Sequence, residues 1–172
     1  MASPASARLW LPGHPRRHTA NNRAPYSHHP RARPETTDAI VKGTLDNAFG
    51  YQGDAMDLPV ADLESALSFY QTVLGFRVSS RNDDAPKSAV LSRDAVEIGL
   101  AENGRDPSQD GCAFHVKNLQ ALFAEFQANG LAKELSEFSV ERHDDASWKV
   151  FYVVAPDGLC YWFGERQPSE SG

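Results

Sequence analysis

Residues 59–70 read Pro59-Val60-Ala61-Asp62-Leu63-Glu64-Ser65-Ala66-Leu67-Ser68-Phe69-Tyr70, and they carry the clearest structural signal in the chain. Here an alternating apolar run passes directly into a helical pattern, with Asp62 as the expected N-cap. The same pattern returns at Val116-Lys117-Asn118-Leu119, and both helices are followed by a glycine. An internal repeat of this kind indicates two copies of one unit, each too small to bury its own apolar face.

Each copy predicts the element order β-α-β-β-β. In both copies, apolar residues first alternate, then recur at helical spacing, and then alternate again between turn signals. The strongest turn signal, Pro156-Asp157-Gly158, separates the last two strands. The first copy spans residues 55–101 with its helix at 62–74, and the second spans residues 112–163 with its helix at 119–129. A functional cleft is expected where the two sheets meet.

Charge is divided sharply along the chain. Residues 1–34 hold six arginines and no acidic residue, whereas the remainder holds the other 11 basic residues and all 23 acidic ones. An acidic body disfavours binding to nucleic acid or to an anionic membrane, and it favours a neutral or cationic small molecule. No stretch approaches the ~20 apolar residues of a membrane-spanning helix. We therefore expect neither nucleic acid nor a membrane as a partner.

Residues 1–50 differ in composition from the rest, since six of the 11 prolines and four of the six histidines lie before Glu35. Without apolar periodicity such a segment cannot offset its ordering entropy, so the sequence predicts a disordered tail. A targeting peptide and a start codon assigned too far upstream are both compatible with it. Thr36 or Thr37 is expected to cap a short helix that ends before Gly53. The expected organisation is a basic tail at residues 1–50, a folded domain at residues 51–166 and a short tail at residues 167–172.

Two segments resemble the vicinal oxygen chelate superfamily, the group of glyoxalases, bleomycin-resistance proteins, extradiol dioxygenases and fosfomycin-resistance enzymes. The first is residues 59–70 followed by Val73-Leu74-Gly75-Phe76, and the second is Phe151-Tyr152-Val153-Val154-Ala155-Pro156-Asp157-Gly158 followed by Trp162-Phe163-Gly164-Glu165. The resemblance covers about residues 52–166. It implies an α+β fold in which two βαβββ repeats form paired, curved mixed sheets around a central cleft. Because this fold hosts several unrelated activities, function has to be argued from the residues of the cleft.

The resemblance also implies four positions at which metal-dependent members place His, Gln or Glu ligands. In this chain those positions hold Ala55, Gly99, Gly111 and Trp162. None of these four side chains can coordinate a divalent cation. We therefore expect neither a metal site nor another cofactor.

Three polar residues, Asp57, Glu97 and His115, are candidates for contact with a ligand. Their alternation with apolar neighbours favours the cleft side of their strands. His115 could donate a hydrogen bond or act as a base near neutral pH, or it could be a structural histidine satisfied by its neighbours. Asp57 could hold a cationic group or lie solvated at the mouth of the cleft, and Glu97 could lie in the cleft or at a sheet edge.

Trp148, Tyr152 and Trp162 form the strongest ligand signal in the sequence. All three fall at even positions near the end of the second copy, so they are expected on one face. There they could stack against a planar or cationic ligand, fill the space of a lost active site, or pack a dimer interface. Cys112 and Cys160 fall on opposite faces of neighbouring strands, so no disulfide is expected and a reducing, cytoplasmic location fits.

These observations favour a metal-independent binding protein, similar to the bleomycin-resistance proteins that sequester their ligand in the clefts of a homodimer. A cationic or aromatic ligand is expected, and no residue is assigned a catalytic role. Two alternatives stay open: a glyoxalase-type lyase or dioxygenase with relocated metal ligands such as His115 and Glu97, and a scaffold or subunit with a filled cleft. The candidate ligand-binding residues are Asp57, Glu97, His115, Trp148, Tyr152 and Trp162.

Overall fold

Both sequence repeats fold into the same βαβββ unit in the computed structural model, which describes residues 41–133 and 137–169. The described chain begins with strand β1 (Thr44–Gly50). The first unit follows as β2 (Leu58–Pro59), α1 (Leu63–Thr72), β3 (Arg77–Asn82), β4 (Ser88–Arg93) and β5 (Val96–Ala101). After a short 3₁₀ helix (Pro107–Gln109), the second unit consists of β6 (Gly111–Lys117), α2 (Leu119–Ala128), β7 (Ser139–His143), β8 (Ala146–Val154) and β9 (Cys160–Arg166). At ten residues each, the two helices of the described ranges cannot cross a membrane.

The two units form sheets with the same internal strand order. The first sheet is ordered β2-β5-β4-β3, and the second, with β1 added at its edge, is ordered β1-β6-β9-β8-β7. In each unit the first strand pairs in parallel with the last, as β2 does with β5 and β6 with β9. The other strand pairs are antiparallel. The predicted α+β fold of two βαβββ repeats is confirmed.

Carboxylates satisfy the first backbone N–H groups of both helices. Asp62 is the N-cap of α1, as predicted, and the carboxylate of Glu102 accepts a further N–H from the start of that helix at 3.0 Å. At the matching place of the second repeat, Glu165 accepts the N–H groups of Asn118 at 2.9 Å and Leu119 at 3.3 Å. A negative charge at this position also complements the positive end of the helix dipole. Each unit thus ties the end of its last strand to the start of its helix.

The apolar sides of the helices and sheets share one hydrophobic cluster. It includes Tyr70 of α1 and Phe126 of α2, both fully buried. Phe114, Phe151 and Phe163 of the five-stranded sheet stack within it, with ring centroids 5.1 and 5.0 Å apart. Side chains alternate along a strand, so the residues directly before and after each of these phenylalanines project from the opposite side of the sheet. We call that side the open face.

Strand β1 corrects the sequence expectation for the region before residue 51. Residues 44–50 were assigned to the tail, and a helix was expected between Glu35 and Gly53, but the chain forms a strand antiparallel to β6. Leu45 of this strand is fully buried in the core. The strand depends on pairing with the edge of β6, a long-range contact that the local pattern does not reveal. Residues 1–40 of the predicted tail lie outside the described residues, as do residues 170–172.

Two further strands differ from their predicted positions. Of the strand expected at residues 55–60, only Leu58–Pro59 forms a regular strand. Isolated backbone hydrogen bonds extend the contact with β5 on both sides, from Gly99 to Ala55 at 2.9 Å and from Val60 to Ala101 at 3.0 Å. The strand expected near residues 132–138 is observed at Ser139–His143. Residues 134–136 lie outside the described part of the chain.

Candidate ligand-binding site

The open face of the five-stranded sheet carries a cavity of about 780 Å³. This volume lies in the range of small-molecule sites, roughly 300–1,000 Å³. The cavity has an aromatic wall, which we define as Phe49, His115, Trp148, Tyr152 and Trp162. Besides His115 and Tyr152, its ionisable side chains are Tyr51, Glu141, His143, Asp144, Asp145, Cys160 and Arg166.

The register of the sheet sets these side chains in rows. Trp148 on β8 lies opposite Glu141 on β7 and opposite Arg166 on β9. Farther along the same strands, Tyr152 lies opposite Trp162. Charged and aromatic residues of three neighbouring strands therefore converge on one patch of the open face.

Glu141 is held by three polar groups of the cavity. The hydroxyl of Tyr152 donates to Oε1 at 2.8 Å, the indole N–H of Trp162 donates to Oε2 at 3.1 Å, and Nε2 of His143 lies 2.9 Å from Oε2. Partial burial raises the pKa of Glu141, but the three contacts outweigh burial and the pKa is lowered. Glu141 is therefore a carboxylate at neutral pH. A carboxylate accepts about four hydrogen bonds, so one acceptor site is left for a ligand.

The phenol of Tyr152 remains a hydrogen-bond donor. Burial and the hydrogen bond to Glu141 raise the pKa of Tyr152 to about 12. Of this side chain 41% is exposed, whereas Trp162 is 9% exposed. The wall thus combines a fixed indole with a phenol ring that a ligand can reach.

His115 lies at the centre of the aromatic wall. Its ring centroid is 4.5 Å from that of Trp148 and 4.8 Å from that of Phe49. The rings of Trp148 and Trp162 are themselves 5.6 Å apart. Burial lowers the pKa of His115, and the opposing effect of Asp46 is smaller. The imidazole is therefore uncharged at pH 7 and acts as part of the wall.

The cysteine of the cavity is not an activated nucleophile. Cys160 lines the cavity and Cys112 is buried in the core, and both are free thiols. Burial raises the pKa of Cys160, against a smaller opposite effect of Tyr51, and burial raises the pKa of Cys112 to about 12. Both residues are thus protonated at neutral pH, and only the thiolate form is nucleophilic.

Comparison with known proteins identifies the family. The sequence profile of the Glyoxalase/Bleomycin resistance protein/Dioxygenase superfamily matches residues 52–159, more than half of the chain. The chain belongs to this superfamily. No curated protein matches its sequence.

Several solved structures are similar to this chain at low sequence identity. A protein from the mobile metagenome of V. pseudocholerae has a TM-score of 0.52 and 18% identity, over 67% of this chain and 94% of its own. A virulence protein of Salmonella typhimurium has a TM-score of 0.50 and 20% identity, over 65% and 94%. A bleomycin resistance determinant encoded on transposon Tn5 has a TM-score of 0.49 and 19% identity, over 66% and 96%.

The metal positions that the superfamily resemblance implies do not fit a metal in this chain. A Cβ atom at Gly111 would lie 1.8 Å from the carbonyl oxygen of Cys160, and one at Gly99 would lie 1.9 Å from that of Met56. Neither position could take a ligand side chain without displacing backbone. Trp162 offers only an N–H donor, which Glu141 accepts. Within residues 41–133 and 137–169, no three His, Cys, Asp or Glu side chains are grouped to hold a metal ion.

Two of the six candidate residues do not line the cavity. Asp57 pairs with Arg105 at 3.1 Å and accepts a hydrogen bond from Asn103. Glu97 is exposed on β5, opposite Ser92 in the four-stranded sheet. A cleft was expected where the two sheets meet, whereas the cavity lies on the five-stranded sheet, which contains the second unit and β1. The structure brings together the other four candidates, His115, Trp148, Tyr152 and Trp162.

Phe49, Glu141 and Arg166 are among the cavity residues that sequence reasoning missed. Phe49 lies on β1, which was not predicted. Glu141 lies on β7, which was predicted several residues too early. Alternation along residues 139–143 would have placed Glu141 on the face of Trp148 once the strand had been positioned correctly. Arg166 ends β9, beyond the predicted end of that strand.

Proposed function

We propose that this protein binds a planar aromatic small molecule that carries a positive charge, without a metal and without changing the ligand chemically. The observation that carries the proposal is the fixed carboxylate of Glu141 beside the aromatic wall of an open cavity. A planar cation could stack on the wall and direct its charge to that carboxylate.

The cavity offers both attractions that such a ligand uses. The faces of Trp148 and Trp162 favour stacking and attract cations through the ring quadrupole. Because three contacts already orient Glu141, its side chain loses little conformational freedom when a cation binds. Asp144 and Asp145, in the turn between β7 and β8, add negative charge at the rim.

The two other functions that the sequence left open make different demands. A filled cleft would bury the aromatic side chains against one another, but 41% of Tyr152 is exposed. An enzyme with relocated ligands would need His115 and Glu97 close together, but they lie on different sheets. Both observations favour ligand binding.

Calorimetric titration of the full chain with proflavine, a planar aromatic cation, tests the proposal. We expect saturable binding at one site per chain. Glu141→Gln keeps the shape of the side chain but removes its charge, so we expect affinity to fall by about tenfold or more. Asp84→Asn removes the same charge from an exposed loop of the first unit and is expected to bind like the wild type.

The outcomes separate the three functions. Proflavine affinity that is equal in Glu141→Gln and the wild type would remove the role assigned to Glu141. Failure to bind proflavine, together with near-stoichiometric Zn²⁺, Ni²⁺, Fe²⁺ or Mn²⁺ retained after desalting and lost in His115→Ala, would favour an enzyme. Failure to bind either proflavine or metal would favour a scaffold.

We also propose that the protein is a homodimer in the reducing cytoplasm, where its two free thiols would persist. Three apolar side chains at the open face and its edge are exposed, Phe49 by 51%, Tyr51 by 45% and Val154 by 65%. Apolar side chains clustered in this way commonly mark an interface.

Sedimentation velocity is expected to give a dimer that Val154→Asp weakens, because the substitution would bury a charge at the interface. Val140 is 68% exposed but lies opposite Lys149, on the other side of the sheet. Val140→Asp is therefore a matched control that should stay dimeric. A wild-type monomer at every concentration would contradict the dimer proposal.

A further inference from the structure

The row of residues that crosses the sheet at Trp148 has opposite charges at its two ends. Glu141 flanks Trp148 on β7, and Arg166 flanks it on β9. All three residues line the cavity. Since neighbouring strands lie about 4.8 Å apart, the backbones of Glu141 and Arg166 are about 10 Å apart, with the indole of Trp148 between them.

Arg166 differs from Glu141 in its contacts. Glu141 is engaged by three polar groups, whereas no ion pair joins Arg166 to any carboxylate of residues 41–133 and 137–169. Two other arginines of the described chain show the usual structural arrangement: Arg93 pairs with two carboxylates, and so does Arg105. Arg166 instead presents an exposed guanidinium at the edge of the cavity.

A guanidinium in this position has a definite chemical preference. Its planar fork of N–H donors matches a carboxylate, which it can bind through two parallel hydrogen bonds. A ligand carboxylate bound to Arg166 would also be separated from Glu141 by the width of Trp148. The two negative charges would therefore not repel each other at close range. A purely cationic ligand, by contrast, would be repelled at the Arg166 end of the row.

We propose that Arg166 binds a carboxylate of the ligand, and that the ligand is therefore zwitterionic. Its aromatic body stacks on Trp148, its cationic group lies toward Glu141, and its carboxylate lies toward Arg166. The inference rests on the proposed function, because it names a second charged contact of the same cavity and so narrows the class of ligand.

The test uses two probes that differ in one group. Rhodamine 110 carries a planar xanthylium cation and a free carboxylate, and rhodamine 123 is its methyl ester. Fluorescence anisotropy of each probe is titrated with the full chain. The wild type is expected to bind rhodamine 110 about tenfold more tightly than rhodamine 123, the size of effect expected for one charge-assisted contact.

Variants assign that preference to Arg166. Arg166→Gln is expected to bind the two probes equally, and Arg166→Lys, which keeps the charge but loses the fork, is expected to retain part of the preference. Arg142 lies on β7 opposite Ser147, on the other side of the sheet, so Arg142→Gln should keep the full preference. Thermal melting of each variant shows that it is folded.

Equal affinity of the wild type for both probes would overturn the inference while leaving the proposed function in place. A preference for rhodamine 110 that survives in Arg166→Gln would overturn it as well. Failure of both probes to bind would contradict the proposed function, and the inference would fail with it.

Discussion

Asp157 is a carboxylate in a poorly solvated position, in the turn that leads into β9. Its Oδ1 accepts the N–H of Leu159 at 3.0 Å, but its Oδ2 is buried and has no hydrogen-bond partner among the described residues. Burial raises the pKa of Asp157, and the backbone N–H groups of Leu159 and of Asp157 itself, together with the nearby hydroxyl of Tyr70, only partly oppose this effect. The folded protein therefore binds the Asp157 proton more tightly than the unfolded chain does.

This difference predicts how the free energy of unfolding depends on pH. The contribution of the Asp157 proton to the free energy of unfolding is fully present below the pKa of an aspartate in the unfolded chain, about 3.9. It declines as pH rises, until Asp157 ionises in the folded protein as well. Asp157→Asn keeps an acceptor for the N–H of Leu159 but cannot ionise, so it should gain stability relative to the wild type between pH 4 and pH 7.

Urea unfolding at a series of pH values measures the effect. A difference between Asp157→Asn and the wild type that is the same at pH 4 and pH 7 would contradict the prediction. Asp84→Asn, in an exposed loop, serves as the control and should show no such change with pH.

The two helix caps allow a comparison between matching elements of the repeat. Glu165 accepts two N–H groups at the start of α2, where the side chain of Asn118 makes no capping hydrogen bond. Glu102 accepts only one N–H group of α1, and that helix is already capped by Asp62. We expect Glu165→Ala to lower the free energy of unfolding by about 1–2 kcal/mol, and Glu102→Ala to lower it by less, about 0.5 kcal/mol.

Thermal and urea unfolding of the two variants give the ranking. Glu165→Gln keeps the acceptor oxygen and loses only the charge, so its effect should fall between those of the wild type and Glu165→Ala. Equal losses for Glu102→Ala and Glu165→Ala would mean that the N-cap of α1 does not compensate for Glu102.

The elements that were predictable from sequence are those whose pattern is local. The faces of His115, Tyr152 and Trp162 follow from a period of two once a strand is placed, and Pro156-Asp157-Gly158 marks the start of the last strand. Strand β1 was not predictable, because its conformation comes from pairing with β6 rather than from its own sequence.

The site was predictable only in part for the same reason. Glu141 acquires its role from His143, two residues along the same strand, and from Tyr152 and Trp162 on other strands. No local signal shows that the residues of the other strands meet it. Asp57 and Glu97 were expected in the cleft from the face of each strand alone. The face of a strand on which a residue lies does not indicate which sheet of the molecule, or which copy of the chain, packs against that face.

At the scale of the whole molecule, Arg93 connects the two units. It is 4% exposed, and its guanidinium donates to the carbonyl oxygens of Leu74, just after α1, and of Gly43, just before β1. It also pairs with Glu125 of α2 at 2.9 Å. Both helices and the N-terminal strand therefore depend on one buried side chain at the turn between β4 and β5.

The shared core and Arg93 together predict that the two units unfold as one. Circular dichroism reports on both units, and the fluorescence of Trp148 and Trp162 reports on the second. The urea transitions that the two signals follow should therefore coincide in the wild type.

Arg93→Met removes a buried charge with several hydrogen bonds and leaves Glu125 unpaired, so we expect the free energy of unfolding to fall by about 2–4 kcal/mol. The two transitions should still coincide, because the hydrophobic cluster still spans both units. Arg77→Met, at an exposed position of β3, should stay within about 0.5 kcal/mol of the wild type. Separate transitions in the wild type would mean that each unit is stable alone, and separation only in Arg93→Met would mean that Arg93, rather than the core, holds the units in one cooperative fold.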